Sequence, residues 1–176
     1  NSVQGVFQPT WGASPILSLS PWTNGTIVLR NRWCNFITGD PSRPANGGQF
    51  AGAGFENKFS LGTFANDVGH WMDIVVHVIW DWRPTGGTGK LELWKKSPTT
   101  TAGAWSQLVN HTGATGVNDY TNTYQAALHY FKFGMYKAGW QTKVGPATQR
   151  IVEFDNLKLI RSGGSFNDVA PTGVPF

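Results

Sequence analysis

The sequence predicts an all-β protein, a single β-jelly-roll domain spanning residues 1–176. Three observations predict it. Apolar and polar residues alternate with period two in several short runs. Clusters of Gly, Pro, Asn and Thr separate those runs. No stretch keeps a capped, 3.6-residue apolar period, so no helix is expected. The 22 glycines among 176 residues follow no triplet period, which indicates turns and bulges rather than collagen.

The expected strands, in order, are Val3–Phe7, Ile16–Leu19, Thr26–Arg32, Lys58–Leu61, Trp71–Trp80, Lys90–Lys95, His129–Tyr136 and Ile151–Ile160. Long loops are expected over Asp40–Gly54, over "SPTTTAGAWSQ" and over "GATGVNDYTNTYQ". "RPTGGTG" between two strong strands reads as a hairpin connection, somewhat long for a tight turn. Residues 160–176 read as an irregular C-terminal strap.

Composition narrows the function classes. Charged residues are 14% of the chain and the formal net charge is +4. That balance suits an acidic partner. No basic run exceeds "WKK", so nucleic acid is not an expected partner. No apolar run is long enough to span a membrane as a helix. Cys34 is the lone cysteine, so no intrachain disulfide and no cysteine zinc site can form. Beside Trp33 and Phe36 it reads as a small buried hydrophobe. The chain starts at Asn1 rather than Met and carries two sequons, Asn24-Gly-Thr and Asn110-His-Thr. A processed, secreted glycoprotein and a monomer are the expectation.

Three strands carry the chemistry. In "HYFKFGMY", Phe131, Phe133 and Met135 face a core, which leaves Tyr130, Lys132 and Tyr136 on the exposed face. In "WMDIVVHVIWDW", Met72, Ile74, Val76, Val78 and Trp80 form an apolar face, and His77 lies on the other with Asp73, Val75, Ile79 and Asp81. In "KLELWKK", Leu91 and Leu93 point inward, while Lys90, Glu92, Trp94 and Lys96 point outward. Trp94 beside lysines suits a stacking platform for a sugar ring; Trp80, Trp82 and Trp140 are further platform candidates. Taken singly, each of these residues reads equally well as packing or surface. The shared parity of Tyr130, Lys132 and Tyr136 is what points to a site.

That set suits cleavage of an acidic polysaccharide by β-elimination. The uronate carboxylate must be neutralised, the C5 proton removed, and a proton given to the leaving O4. Lys, Arg, Gln, Asn or His can meet the first need. Tyr or His can meet the other two. A cation such as Lys132 near the Tyr136 phenol favours the phenolate.

"YFKFGMY" resembles the YFKxGxY strand of jelly-roll polysaccharide lyases, best known in alginate lyases. "GHWMDIVVHVIWDW…GTGKLELWKK", "VFQ" and "VEFDNLKLI" resemble blocks of the glucuronan-lyase and heparin-lyase-like group, in the same order. The resemblance implies a concanavalin-like β-sandwich whose concave face grips a polyuronate. It implies Tyr136 as the catalytic acid, in alginate lyases often also the base, His77 as catalytic histidine, and Lys132 and Tyr130 as substrate contacts. Val75 stands where alginate lyases carry the Gln of "QIH", and Gln8 is the residue that could supply that amide instead. The family's N-terminal strands have no clear counterpart before Asn1; either they sit on another segment or the jelly roll is N-terminally reduced.

Two other readings share the scaffold. A non-catalytic carbohydrate-binding module would use the tryptophans alone. A retaining glycoside hydrolase needs closely spaced carboxylates; Glu153 and Asp155 supply two, but Lys158 occupies the third position. No cofactor and no catalytic metal are expected. Asp40, Asp155 and loop carbonyls offer oxygens to a structural calcium, without a ligand spacing that argues for one.

Overall fold

The computed structural model describes residues 17–21, 24–33, 56–81, 83, 85–97, 104–116, 153–160 and 163–170. These form six strands: β1 (Leu17–Pro21), β2 (Thr26–Arg32), β3 (Glu56–Thr63), β4 (Asp73–Ile79), β5 (Lys90–Lys96) and β6 (Ser106–Thr112). They build two three-stranded sheets, β1-β2-β3 and β4-β5-β6, in which every pairing is antiparallel. The all-β sandwich expected from the alternation is therefore present. Helical structure among the described residues amounts to a 3₁₀ turn, Phe64–Asn66, and a single turn, α1 (Phe166–Val169).

One core joins the sheets. Ile27, Leu29 and Leu61 point in from the first sheet; Leu91, Leu93 and Val109 point in from the second. Leu17, Phe59, Met72, Ile74 and Val78 pack around them. Each fully buried Leu or Val contributes about 1.5–3 kcal/mol relative to exposure. Several polar groups in this layer are paired across it, while Asn31 Oδ1 and Asp67 Oδ1 have no hydrogen-bond partner among the described residues. Lys95 Nζ meets Asp67 at 2.5 Å and donates to the Leu61 carbonyl at 3.3 Å. Asn31 Nδ2 donates to the Thr115 carbonyl at 3.0 Å, and Asn57 Nδ2 approaches His111 Nε2 at 3.3 Å.

The turns follow from local chemistry. Gly25 takes φ 82° between β1 and β2, a conformation that suits glycine. The β4–β5 connection closes around Asp81. Its carboxylate accepts from the Arg83 backbone, the Arg83 guanidinium and the Thr88 backbone, each within 3.0 Å. Those donors hold the Asp81 carboxyl far below the ordinary carboxylate range, the Arg83 side chain most of all.

Three departures from the sequence expectations stand out. "SQLVNHT", of which only Ser106 and Gln107 were expected in a loop and the rest in no strand, forms β6 and completes the second sheet. Residues 153–160, expected as a strand, take no regular structure and expose Phe154, Leu157, Leu159 and Ile160. Asn156 sits there at φ 53°, with its N–H bonded to Asp155 Oδ1 at 2.8 Å, and this left-handed residue breaks the extended run. In β4, Val76 is 39% exposed although its parity is that of the core face, whereas Val75 is 6% exposed on the other face, where it pairs with Trp94. The expected strands Val3–Phe7 and His129–Tyr136 lie outside the described residues.

Candidate functional site

The outer face of the β4-β5-β6 sheet brings His77, Glu92, Lys90, Gln107 and Trp94 together. Register does this. His77 lies directly opposite Glu92, and Val75 lies opposite Trp94. Side chains of opposed residues meet on one face.

Glu92 is the centre of the group. Its Oε2 meets His77 Nδ1 at 2.8 Å. Its Oε1 meets Lys90 Nζ at 2.8 Å and accepts from Gln107 Nε2 at 3.2 Å. Gln107 reaches it through a β-bulge. The ladder pairs Leu93 with Val109 but Trp94 with Gln107, so Leu108 is an extra residue and Gln107 turns onto the outer face. Burial of Glu92 alone would raise its pKa. Hydrogen bonds and charge from Lys90 and His77 outweigh that and hold it below the ordinary value. At neutral pH it is a carboxylate, which only accepts hydrogen bonds.

A carboxylate at Nδ1 selects the tautomer of His77. The proton of the neutral ring sits on Nδ1, and Nε2 carries the lone pair. The side chain is half exposed, and Nδ1 is the ring nitrogen that Glu92 engages. A histidine oriented this way by a carboxylate is equipped to take a proton and to be stabilised once it has done so.

The opposite sheet carries a basic cluster on its outer face. Arg30 Nη2, Arg32 Nε and Lys58 Nζ lie 2.6, 2.9 and 3.1 Å from the Glu56 carboxylate. All three cations converge on that one carboxylate. No basic run announces it, because the residues come from two paired strands, Arg30 opposite Lys58 and Arg32 opposite Glu56.

Of the residues expected in a site, His77 and Trp94 share this face. Trp94 is half buried, with its ring centroid 5.2 Å from that of Phe166. Gln8, Tyr130, Lys132 and Tyr136 lie outside the described residues, as do Trp82, Trp140, Cys34 and Asp40. Glu92 and Gln107 were not expected as site residues. Glu92 stands in the outward set of "KLELWKK", and the hairpin register is the signal that would have matched it to His77. Glu153 and Asp155 stand on the exposed irregular segment rather than on a strand. Among the described residues, no group of three or more His, Cys, Asp or Glu side chains is placed to hold a metal ion. None of their helices is long and apolar enough to cross a membrane.

A family model described as "Polysaccharide lyase" matches residues 4–158. That span takes in His77, Glu92, Trp94 and Gln107, and also Gln8, Tyr130, Lys132 and Tyr136. Searches of curated proteins and of solved structures return no match.

Proposed function

This chain belongs to the polysaccharide lyase family, and from that membership we propose that it cleaves a glucuronan-like polyuronate by β-elimination. The observation that carries the proposal is the His77–Glu92 pair, with Nδ1 and Oε2 2.8 Å apart on the outer face of the β4-β5-β6 sheet.

His77 Nε2 takes the C5 proton of the uronate. The electrons of the C5–H bond form the C4–C5 double bond as the C4–O4 bond breaks. Tyr136, in the role its strand motif implies, gives a proton to O4. Glu92 keeps the imidazole in the Nδ1–H tautomer and stabilises the imidazolium as it forms. The uronate carboxylate needs a partner that lowers the acidity cost at C5. Gln8 and Lys132 are the residues the family resemblance offers. The formal net charge of +4 suits an acidic polymer as the ligand. A secreted monomer acting outside the cell accords with this substrate.

The test is the ultraviolet absorbance of the unsaturated uronate that elimination leaves. The protein is incubated with glucuronan, alginate, heparin and pectate in turn. A rise with glucuronan that Tyr136→Phe abolishes supports the proposal. Retention of a polymer in affinity electrophoresis, without any rise, would make the protein a binding module instead.

A further inference from the structure

Trp94 and Trp105 converge on one point of the β4-β5-β6 sheet. Trp94 is on β5, two residues beyond Glu92 on the same face. Trp105 immediately precedes β6, where Ser106 pairs with Lys95 and Gln107 with Trp94. The ring of Phe166 lies between them, its centroid 5.2 Å from each, at interplanar angles of 65° and 86°.

The segment that delivers Phe166 is held lightly among the described residues. α1 is one turn, closed by its own capping box: the backbone and hydroxyl of Ser165 both donate to Asp168 Oδ2 at 2.7 Å. Gly163, Gly164, Ser165, Asn167 and Asp168 are exposed. Phe166 and Val169 are half buried, and Ala170 is buried. A short turn with self-contained hydrogen bonds and few inward side chains opens at low cost.

We infer that Trp94 and Trp105 form a sugar-ring subsite beside His77 and Glu92, filled by Phe166 until a polysaccharide displaces it. A six-membered aromatic ring and a pyranose ring are similar in size, and both pack against indole through C–H groups. Residues two apart on a strand are separated by about 7 Å. A sugar on Trp94 is therefore a neighbour of one presented to His77. The inference rests on the lyase reading for the identity of the sugar, a uronate. The subsite itself requires only that a sugar ring bind there.

The experiment uses the full chain and a glucuronan oligosaccharide, with a neutral cello-oligosaccharide as comparison. Binding is followed by tryptophan fluorescence. Phe166→Ala removes the competing ring, and affinity should rise about three- to tenfold, because a closed fraction of the protein no longer lowers the apparent affinity. Trp94→Ala and Trp105→Ala should each weaken binding about tenfold. Independently of any variant, backbone amides of residues 166–170 in the wild-type protein should exchange faster with deuterium when the oligosaccharide is bound. Unchanged or weaker binding by Phe166→Ala, or protection of those amides by the sugar, overturns the inference. Binding of neither sugar by wild type and Phe166→Ala alike also overturns it. Elimination activity with unchanged Phe166→Ala affinity would sink the subsite and leave the lyase reading standing. Tighter binding by Phe166→Ala without elimination would do the reverse.

Discussion

His77 and Glu92 face each other across the β4–β5 ladder, with Nδ1 and Oε2 2.8 Å apart. Lys90 and Gln107 hold the other carboxylate oxygen. The carboxylate is thus fixed on both sides, and it fixes the imidazole in turn.

Glu92→Gln keeps the shape of the side chain and removes its charge. It should lower kcat about 10²-fold while leaving KM within about threefold, the pattern of a group that acts on the transition state. Steady-state kinetics on a soluble polyuronate give both constants. An equal loss in KM with kcat intact would assign Glu92 to substrate binding.

Acid should loosen the sandwich through His111. Asn57 Nδ2 donates to its Nε2 at 3.3 Å across the two sheets, and burial holds the imidazole below its ordinary pKa. The unfolded chain takes up the proton more readily than the folded one. Stability is therefore complete above about pH 6.5 and falls as the pH drops below that value. His111→Gln should flatten the decline between pH 7 and pH 5, measured as the urea midpoint at each pH.

The Lys95–Asp67 pair lies in the core layer, with both side chains nearly inaccessible. Lys95→Met strands the Asp67 carboxylate and should cost about 3–5 kcal/mol. Adding Asp67→Leu should recover much of that loss, because removing both charges leaves no uncompensated group. Denaturant titration of the two variants measures the difference.

Gly89 opens the hairpin into β5 with no room for a side chain. A Cβ there would fall 2.0 Å from the Gly113 carbonyl oxygen, which itself accepts no relief because Gly113 N–H is bonded to the Gly89 carbonyl at 3.0 Å. Gly89→Ala should destabilise by about 2 kcal/mol or more and lower the melting temperature.

The sequence made the sheets visible wherever one face is apolar and the other is not. "KLELWKK" is the clearest case, since Leu91 and Leu93 are fully buried in the core as their parity required. β6 escaped notice because its inward positions are Val109 and His111, and a half-buried histidine does not look like core. Residues 153–160 carried the alternation of a strand, but Asn156 in the left-handed region ended it. The site was half legible. The parity of His77 was readable within one strand. Its partner depended on the register of two strands, and Gln107 depended on a bulge in a third. Neither register nor bulge is a property of a single segment. The cluster at Arg30, Arg32 and Lys58 was hidden for the same reason.

Elimination by the His77–Glu92 face stands or falls on one comparison. The most direct measurement is the initial rate of ultraviolet absorbance increase on glucuronan for the wild-type protein, His77→Ala and Glu92→Gln, side by side. A steady rise is expected for wild type, and a fall of about 10²-fold or more for both variants. A wild-type protein that leaves every polyuronate intact, or variants that keep the wild-type rate, would contradict it.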